Sequence, residues 1–201
     1  MKLNALQLRQ LEEERARGVI KKIKRHPIYF ILENIYDTYN IGGLFRLADA
    51  LAVEKIYLVG ETETPPNSRI KKASIGTYKL VPWEYKKTTK EAIESITCNM
   101  ERVTCKNTEN NKNTFHVSRY KLHVVAVEQH KNSIPYTKAN YQFPLVLIFG
   151  NESFGVKEET LRLCGQIVEI PMYGINKSLN VIVAAGIVGY WAVAQQKIFH
   201  H

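Results

Sequence analysis

Residues 27–60, PIYFILENIYDTYNIGGLFRLADALAVEKIYLVG, constrain the fold more than any other stretch. An apolar run, PIYFILEN (27–34), precedes the polar loop YDTYN. IGGLFRLADALAV (41–53) follows, with Leu44, Phe45, Ala48 and Leu51 at helical spacing, and then a second apolar run, KIYLVG (55–60). Strand, loop, helix and strand in that order form a βαβ unit, and the crossover helix makes the two strands parallel. Parallel sheets are covered on both faces, so further buried strands are expected. YKLVPW (78–83), KLHVVAV (121–127), FPLVLIFG (143–150) and QIVEI (166–170) have that character. TTKEAIESI (88–96) and KEETLRLC (157–164) read as helices, and a long C-terminal helix is expected from about 179 to 197. The predicted fold class is therefore α/β, a doubly wound parallel-sheet domain of five or six strands.

The remaining segments are punctuation and appendage. ETETPPNS (61–68) reads as a loop because of its proline pair. Residues 97–120 lose all periodicity, are rich in Asn, Thr and Lys, and are expected to form a surface excursion. Residues 1–26 read as a basic helical N-terminal arm, leaving 27–201 as the main domain. No apolar run approaches the roughly 20 residues of a membrane helix. The charged start MKLNALQLRQLEEERARG lacks a signal peptide's apolar core, so a cytoplasmic protein is expected. Cys98, Cys105 and Cys164 have no metal-ligand spacing and read as free thiols; no metal is expected. Twenty-eight Lys and Arg against 19 Asp and Glu leave a net charge of +9, which suits a polyanionic partner such as nucleic acid.

Three motifs carry candidate chemistry, and each follows a predicted strand. In NIGGLFRLADALAV (40–53), Asn40 stands where loop becomes helix, and Arg46 points away from the Phe45/Ala48 face. Capping and solvation would explain both, but not Gly42-Gly43 in a first helical turn, where glycine costs stability. In LVLIFGNESFGV (145–156) a buried strand ends in Gly150-Asn151-Glu152. A carboxylate there could simply favour a helix start, yet ligands of open α/β sheets bind at the carboxyl ends of strands. In IPMYGINKSLNVIVAAGIVGYW (170–191), Ser178 and Asn180 sit at the mouth of an apolar helix, where both could act as caps. No G-x-G-x-x-G or G-x-x-x-x-G-K-[ST] occurs, so a small-molecule enzyme using a nucleotide phosphate loop is disfavoured.

Taken in order, N-x-G-x-x-x-R-x-A-D, G-x-E-x-x-G and I-P-M-x-G-x-x-x-S-L-N-V resemble the three motifs of the SpoU (TrmH-like) branch of the SPOUT RNA methyltransferases. The resemblance covers residues 28 to about 195. It implies a C-terminal deep trefoil knot, a pocket for S-adenosylmethionine formed by that knot, and a homodimer. The implied reaction methylates a ribose 2′-hydroxyl of RNA, with tRNA favoured over rRNA. By motif position, Gly150, Ile170, Met172 and Leu179 would meet the cofactor. Asn40, Arg46, Glu152, Ser178 and Asn180 match the polar active-site positions. Arg46 would serve as the base assisted by an RNA phosphate or, more easily for a protonated guanidinium, as an anchor for phosphate and developing oxyanion. Two departures stand out: Ala52 where glycine is usual, and Ile182 where a small residue is common. A SPOUT-like protein that binds RNA without methylating it is the alternative reading.

Overall fold

A computed structural model of the chain describes residues 23–106 and 121–198. The chain order is β1 (His26–Glu33), α1 (Thr38–Ala50), β2 (Val53–Val59), α2 (Ser68–Ser74), a 3-10 turn (Thr77–Lys79), β3 (Trp83–Lys86) and α3 (Thr89–Lys106). It continues with β4 (His123–Val127), β5 (Ile134–Pro135), β6 (Leu145–Phe149), α4 (Glu158–Leu161), β7 (Gln166–Glu169) and α5 (Val181–Ile198). The strands form one seven-stranded sheet in the order β3-β2-β1-β6-β4-β7-β5. Every pairing in it is parallel.

The alternation of strand side chains separates two cores. Phe30 and Leu32 of β1, with Leu145, Leu147 and Phe149 of β6, face α1, α2 and α5, where they meet Leu44, Phe45, Ile70, Ala185 and Val188. Ile31, Val146 and Ile148 point the other way, onto Ala92 and Ile96 of α3 and Leu161 of α4. Strands buried on both faces read as continuous apolar runs rather than alternating ones, which is why β1 and β6 stood out in the sequence. Because all strands run in one direction, the carboxyl ends of β1, β6 and β7 share one edge of the sheet. The three motifs follow those ends, as expected.

Several elements differ from the sequence reading. The sheet has seven strands, the additional β5 being only two residues long. YKLVPW is not a strand but the end of a 3-10 turn, closed by Lys79 N–H to the Gly76 carbonyl and Leu80 N–H to the Thr77 carbonyl. β3 begins only at Trp83, because Pro82 has no amide to donate to a ladder. The helix α2 was hidden behind the proline pair. Asn67 starts it by accepting from the amides of Arg69 (2.9 Å) and Ile70 (3.3 Å). α3 runs on to Lys106, so the first ten positions of the 97–120 stretch continue a helix rather than leave the surface. Residues 107–120 lie outside the described residues, as do residues 1–22 of the basic arm. At the arm's described end, the Arg25 guanidinium donates to the carbonyls of Val53 (2.8 Å) and Leu80 (2.9 Å). α4 is a single turn instead of eight residues.

Candidate active site

The first motif is positioned by a left-handed residue. Asn34, at φ 54°, turns the chain out of β1, and its side-chain oxygen accepts from the Glu61 amide. The N-cap of α1 is Asp37, whose carboxylate accepts from Tyr39 N–H at 2.8 Å. Asn40 therefore does not cap the helix. It lies within the first turn and is nearly fully buried, with its amide free to reach across the sheet edge. The double glycine beside it is a packing requirement. A Cβ on Gly42 would stand 2.5 Å from the Ala73 Cβ of α2, and one on Gly43 would stand 2.3 Å from Ile182 Cδ1 of α5. Ile182, where a small residue is usual, fills the space that Gly43 leaves.

The second motif is an asparagine-built turn. Asn151 donates through Nδ2 to the Asn34 carbonyl (2.8 Å), fastening the end of β6 to the end of β1. Its Oδ1 accepts from the amides of Ser153 (2.7 Å) and Phe154 (3.0 Å), which curls the backbone and projects Glu152 toward α1. Gly150 must lack a side chain, since a Cβ would stand 2.3 Å from the backbone of Gly155 and Val156.

The three motifs then join. Asn180 donates through Nδ2 to Asn40 Oδ1 at 2.9 Å, and Asn40 donates through Nδ2 to Glu152 Oε1 at 2.8 Å. Three residues separated by 112 and 140 positions in sequence form one relay of donors ending on a carboxylate. Asn180 also accepts from Ile182 N–H (2.8 Å), so the capping reading holds for it as well. Its amide group does both jobs, using oxygen for the helix and nitrogen for the site.

Beside this relay lies a cavity of about 400 Å³. Its lining includes Gly150, Ile170, Met172 and Leu179, the four residues proposed for the cofactor, together with Glu152 and Ser178. Ser178 is exposed and makes no cap. Arg46 is outside the cavity lining, exposed on α1, and has no hydrogen bond or ion pair among the described residues. Sequence reasoning missed Glu128, Gln129 and Glu169, which also line the cavity. Glu128 accepts from the amides of Val156 and Gln129, both at 2.8 Å, and the Gln129 side chain donates to the Lys177 carbonyl. The Glu-Gln pair directly following the apolar run KLHVVAV was the available signal. Along the wall the carboxylates of Glu128, Glu152 and Glu169 outnumber the single cation Lys177. Among the described residues no cluster of His, Cys, Asp and Glu could hold a metal ion.

Fold and site together define an α/β protein of the open parallel-sheet class, with a small-molecule cavity at the carboxyl edge of its strands. The family description "SpoU rRNA Methylase family" matches residues 27–190, and the chain belongs to that family. A tRNA (guanosine(18)-2′-O)-methyltransferase of Thermus thermophilus is 26% identical over 191 residues, covering 94% of this chain and 87% of the relative. Among solved structures, the A. aeolicus TrmH/SpoU tRNA modifying enzyme superposes with a TM-score of 0.67 at 26% identity, over 96% of this chain and 85% of that one. An AdoMet-bound rRNA methyltransferase from Sinorhizobium meliloti gives a TM-score of 0.67 at 27% identity, over 87% of this chain but only 62% of that one.

Proposed function

We propose that this protein transfers a methyl group from S-adenosylmethionine to a ribose 2′-hydroxyl of RNA, with tRNA the favoured substrate. The observation that carries the reading is the Asn180–Asn40–Glu152 relay standing at the edge of a cavity with an acidic wall. Its size lies in the range of small-molecule sites, and its surplus of carboxylates suits a ligand bearing both a sulfonium and an ammonium. Gly150, Ile170, Met172 and Leu179 would hold that ligand, the glycine by admitting it against the backbone and the others by apolar contact. When bound, S-adenosylmethionine supplies an electrophilic methyl carbon whose departure leaves a neutral thioether.

The chain's own groups have two tasks. The relay fixes Asn40, Glu152 and Asn180 against one another, so the polar edge is preorganised and needs no rearrangement when the ribose arrives. Arg46, exposed on α1, would hold an RNA phosphate and stabilise the 2′-oxygen while the hydroxyl proton passes to solvent water. Ser178 adds a hydroxyl that can hydrogen-bond the ribose from the loop side.

The same reading extends to the chain's topology and assembly. Tyr173 to Asn180, held at Lys177 by Gln129, is proposed as the loop of a C-terminal trefoil knot lying over the cofactor. Two copies are proposed to pair through the outer face of α5, where Val183 and Tyr190 stand about half exposed. The basic segment ahead of β1 is proposed to bind RNA; its described end, residues 23–25, is not helical, and His26 already belongs to β1. No helix among the described residues is long and apolar enough to cross a membrane.

The test is methyl transfer to unmodified tRNA and, separately, rRNA, with products digested to nucleosides and identified by mass spectrometry. A 2′-O-methylated nucleoside from either pool is expected. Cofactor binding without product from either pool would instead favour a non-catalytic RNA-binding protein. Arg46→Ala is expected to lose transfer while binding S-adenosylmethionine normally by calorimetry, and near-normal turnover would refute its role.

A further inference from the structure

The basic character noted in the sequence is placed next to the site by one short element. α2 carries Arg69, Lys71 and Lys72, all exposed, and none of their side chains has a hydrogen bond or ion pair among the described residues. Their neighbours in the chain are Ile70, which is buried in the core, and Ala73, which packs on α1. That packing is close: the Gly42 backbone approaches Ala73 so nearly that even a methyl group would not fit. Gly42 precedes Arg46 by one helical turn on the same side of α1, so α2 is fixed beside the exposed guanidinium.

Stability does not explain this arrangement. Arg69 is the second residue of α2, following the Asn67 cap, where the positive end of the helix dipole disfavours a cation. Arg69 and Lys72 are three apart, hence neighbours on the helix surface, where like charges repel. The last-turn position of Lys72 suits the dipole, but that gain does not extend to Arg69. An anion bound across Arg69 and Lys72 would reverse both unfavourable terms.

We infer that α2 is a docking surface for the RNA backbone flanking the methylated nucleotide, with Arg69 and Lys72 each holding a phosphate. The inference rests on the function proposed above and adds to it the direction in which the strand leaves the site. Contacts of this kind position RNA without reading its bases, and they are revealed by salt dependence.

The experiment compares wild type with Arg69→Gln/Lys72→Gln, measuring the affinity for unmodified tRNA over a series of salt concentrations. A second variant, Lys121→Gln/Lys138→Gln, removes the same charge from exposed positions elsewhere on the molecule. The slope of log affinity against log salt is expected to fall by about 2 in the α2 variant, roughly one for each lost phosphate contact. The control variant should change it much less, and calorimetric binding of S-adenosylmethionine should be unchanged in both. An α2 variant with the wild-type slope overturns the inference, as does an equal fall in the control, which would signify general charge alone. Should wild type itself neither bind nor methylate RNA, the proposed function fails and the inference with it. A wild type that methylates, beside an unaffected α2 variant, refutes the docking surface only.

Discussion

Replacing Asn40 with Asp tests the geometry at the centre of the site. The new side chain keeps the oxygen that accepts from Asn180 at 2.9 Å, but puts a second anionic oxygen where an amide donated to Glu152 at 2.8 Å. Two unit charges at that separation repel by about 1.5 kcal/mol in bulk water and by about 6 kcal/mol at an effective dielectric constant of about 20. Asn40 is 6% exposed whereas Glu152 is open to solvent, so the cost lies between those limits. The pair also has an escape: one carboxyl takes up a proton and donates it to the other, restoring the relay. From an ordinary carboxyl pKa near 4, that uptake costs about 4 kcal/mol at pH 7 and about 1.4 kcal/mol at pH 5. Asn40→Asp should therefore lose about 2–4 kcal/mol at pH 7 but no more than about 1.4 kcal/mol at pH 5. The lower figure corresponds to Glu152 swinging away into water. The sign follows from linkage. The folded pair binds its shared proton above the ordinary carboxyl range, so the deficit is smallest below that range and grows as pH rises through the raised value. Urea denaturation at the two pH values measures it, with Asn40→Ala as a variant whose deficit should not follow this pH dependence. A deficit for Asn40→Asp that is equal at pH 5 and pH 7, or absent at pH 7, would refute the contact between Asn40 and the Glu152 carboxylate.

Other consequences are simpler to check. Ala52 adopts φ 49°, where an L residue is strained and glycine is not, so Ala52→Gly should stabilise the protein by about 0.5–1 kcal/mol after glycine's own entropy cost. A lowered denaturation midpoint would show that the strain argument is wrong. Gly43→Ala should destabilise by about 1 kcal/mol, because its methyl meets Ile182, but should stabilise by up to about 1 kcal/mol in an Ile182→Ala background through helix propensity. Additivity in that double-mutant cycle would mean the two positions do not touch. Burial, with the Glu33 charge second, pushes the Cys164 thiol up to about 12, while Cys98 is exposed. Mass-spectrometric mapping after iodoacetamide at pH 8 should find Cys98 modified at least about tenfold faster. Equal rates would place Cys164 at the surface.

The strands and the site were legible to different depths. β1, β4 and β6 announced themselves because strands covered on both faces read as apolar runs, whereas β2 and β7 carry polar residues, Glu54 and Lys55 in one and Gln166 and Glu169 in the other, and were recognised from the apolar residues beside them. YKLVPW resembled them by composition alone. Its apolar residues pack from a 3-10 turn, and only the hydrogen bonds from Lys79 and Leu80 to carbonyls three residues back distinguish the two. α2 was obscured because the proline pair reads as loop and the helix occupies only the residues after it. Trp191 lies at the rim of α5, edge-on to Tyr136, while Ala192 takes the core position.

By itself, the sequence determined that the sheet is parallel, that three polar motifs follow strand ends, and which residue types those motifs present. These are local properties, set by periodicity, by crossover length and by the chemistry of single side chains. Only the tertiary structure decided that Asp37 rather than Asn40 caps α1, leaving Asn40 to receive Asn180 and to reach Glu152. It also decided that Glu128 and Gln129 line the cavity wall, and that α2 packs through Ala73 on the helix that carries Arg46. Hydrogen bonds across 112 and 140 residues depend on where the sheet order brings strand ends together, and no local pattern in the chain encodes that order.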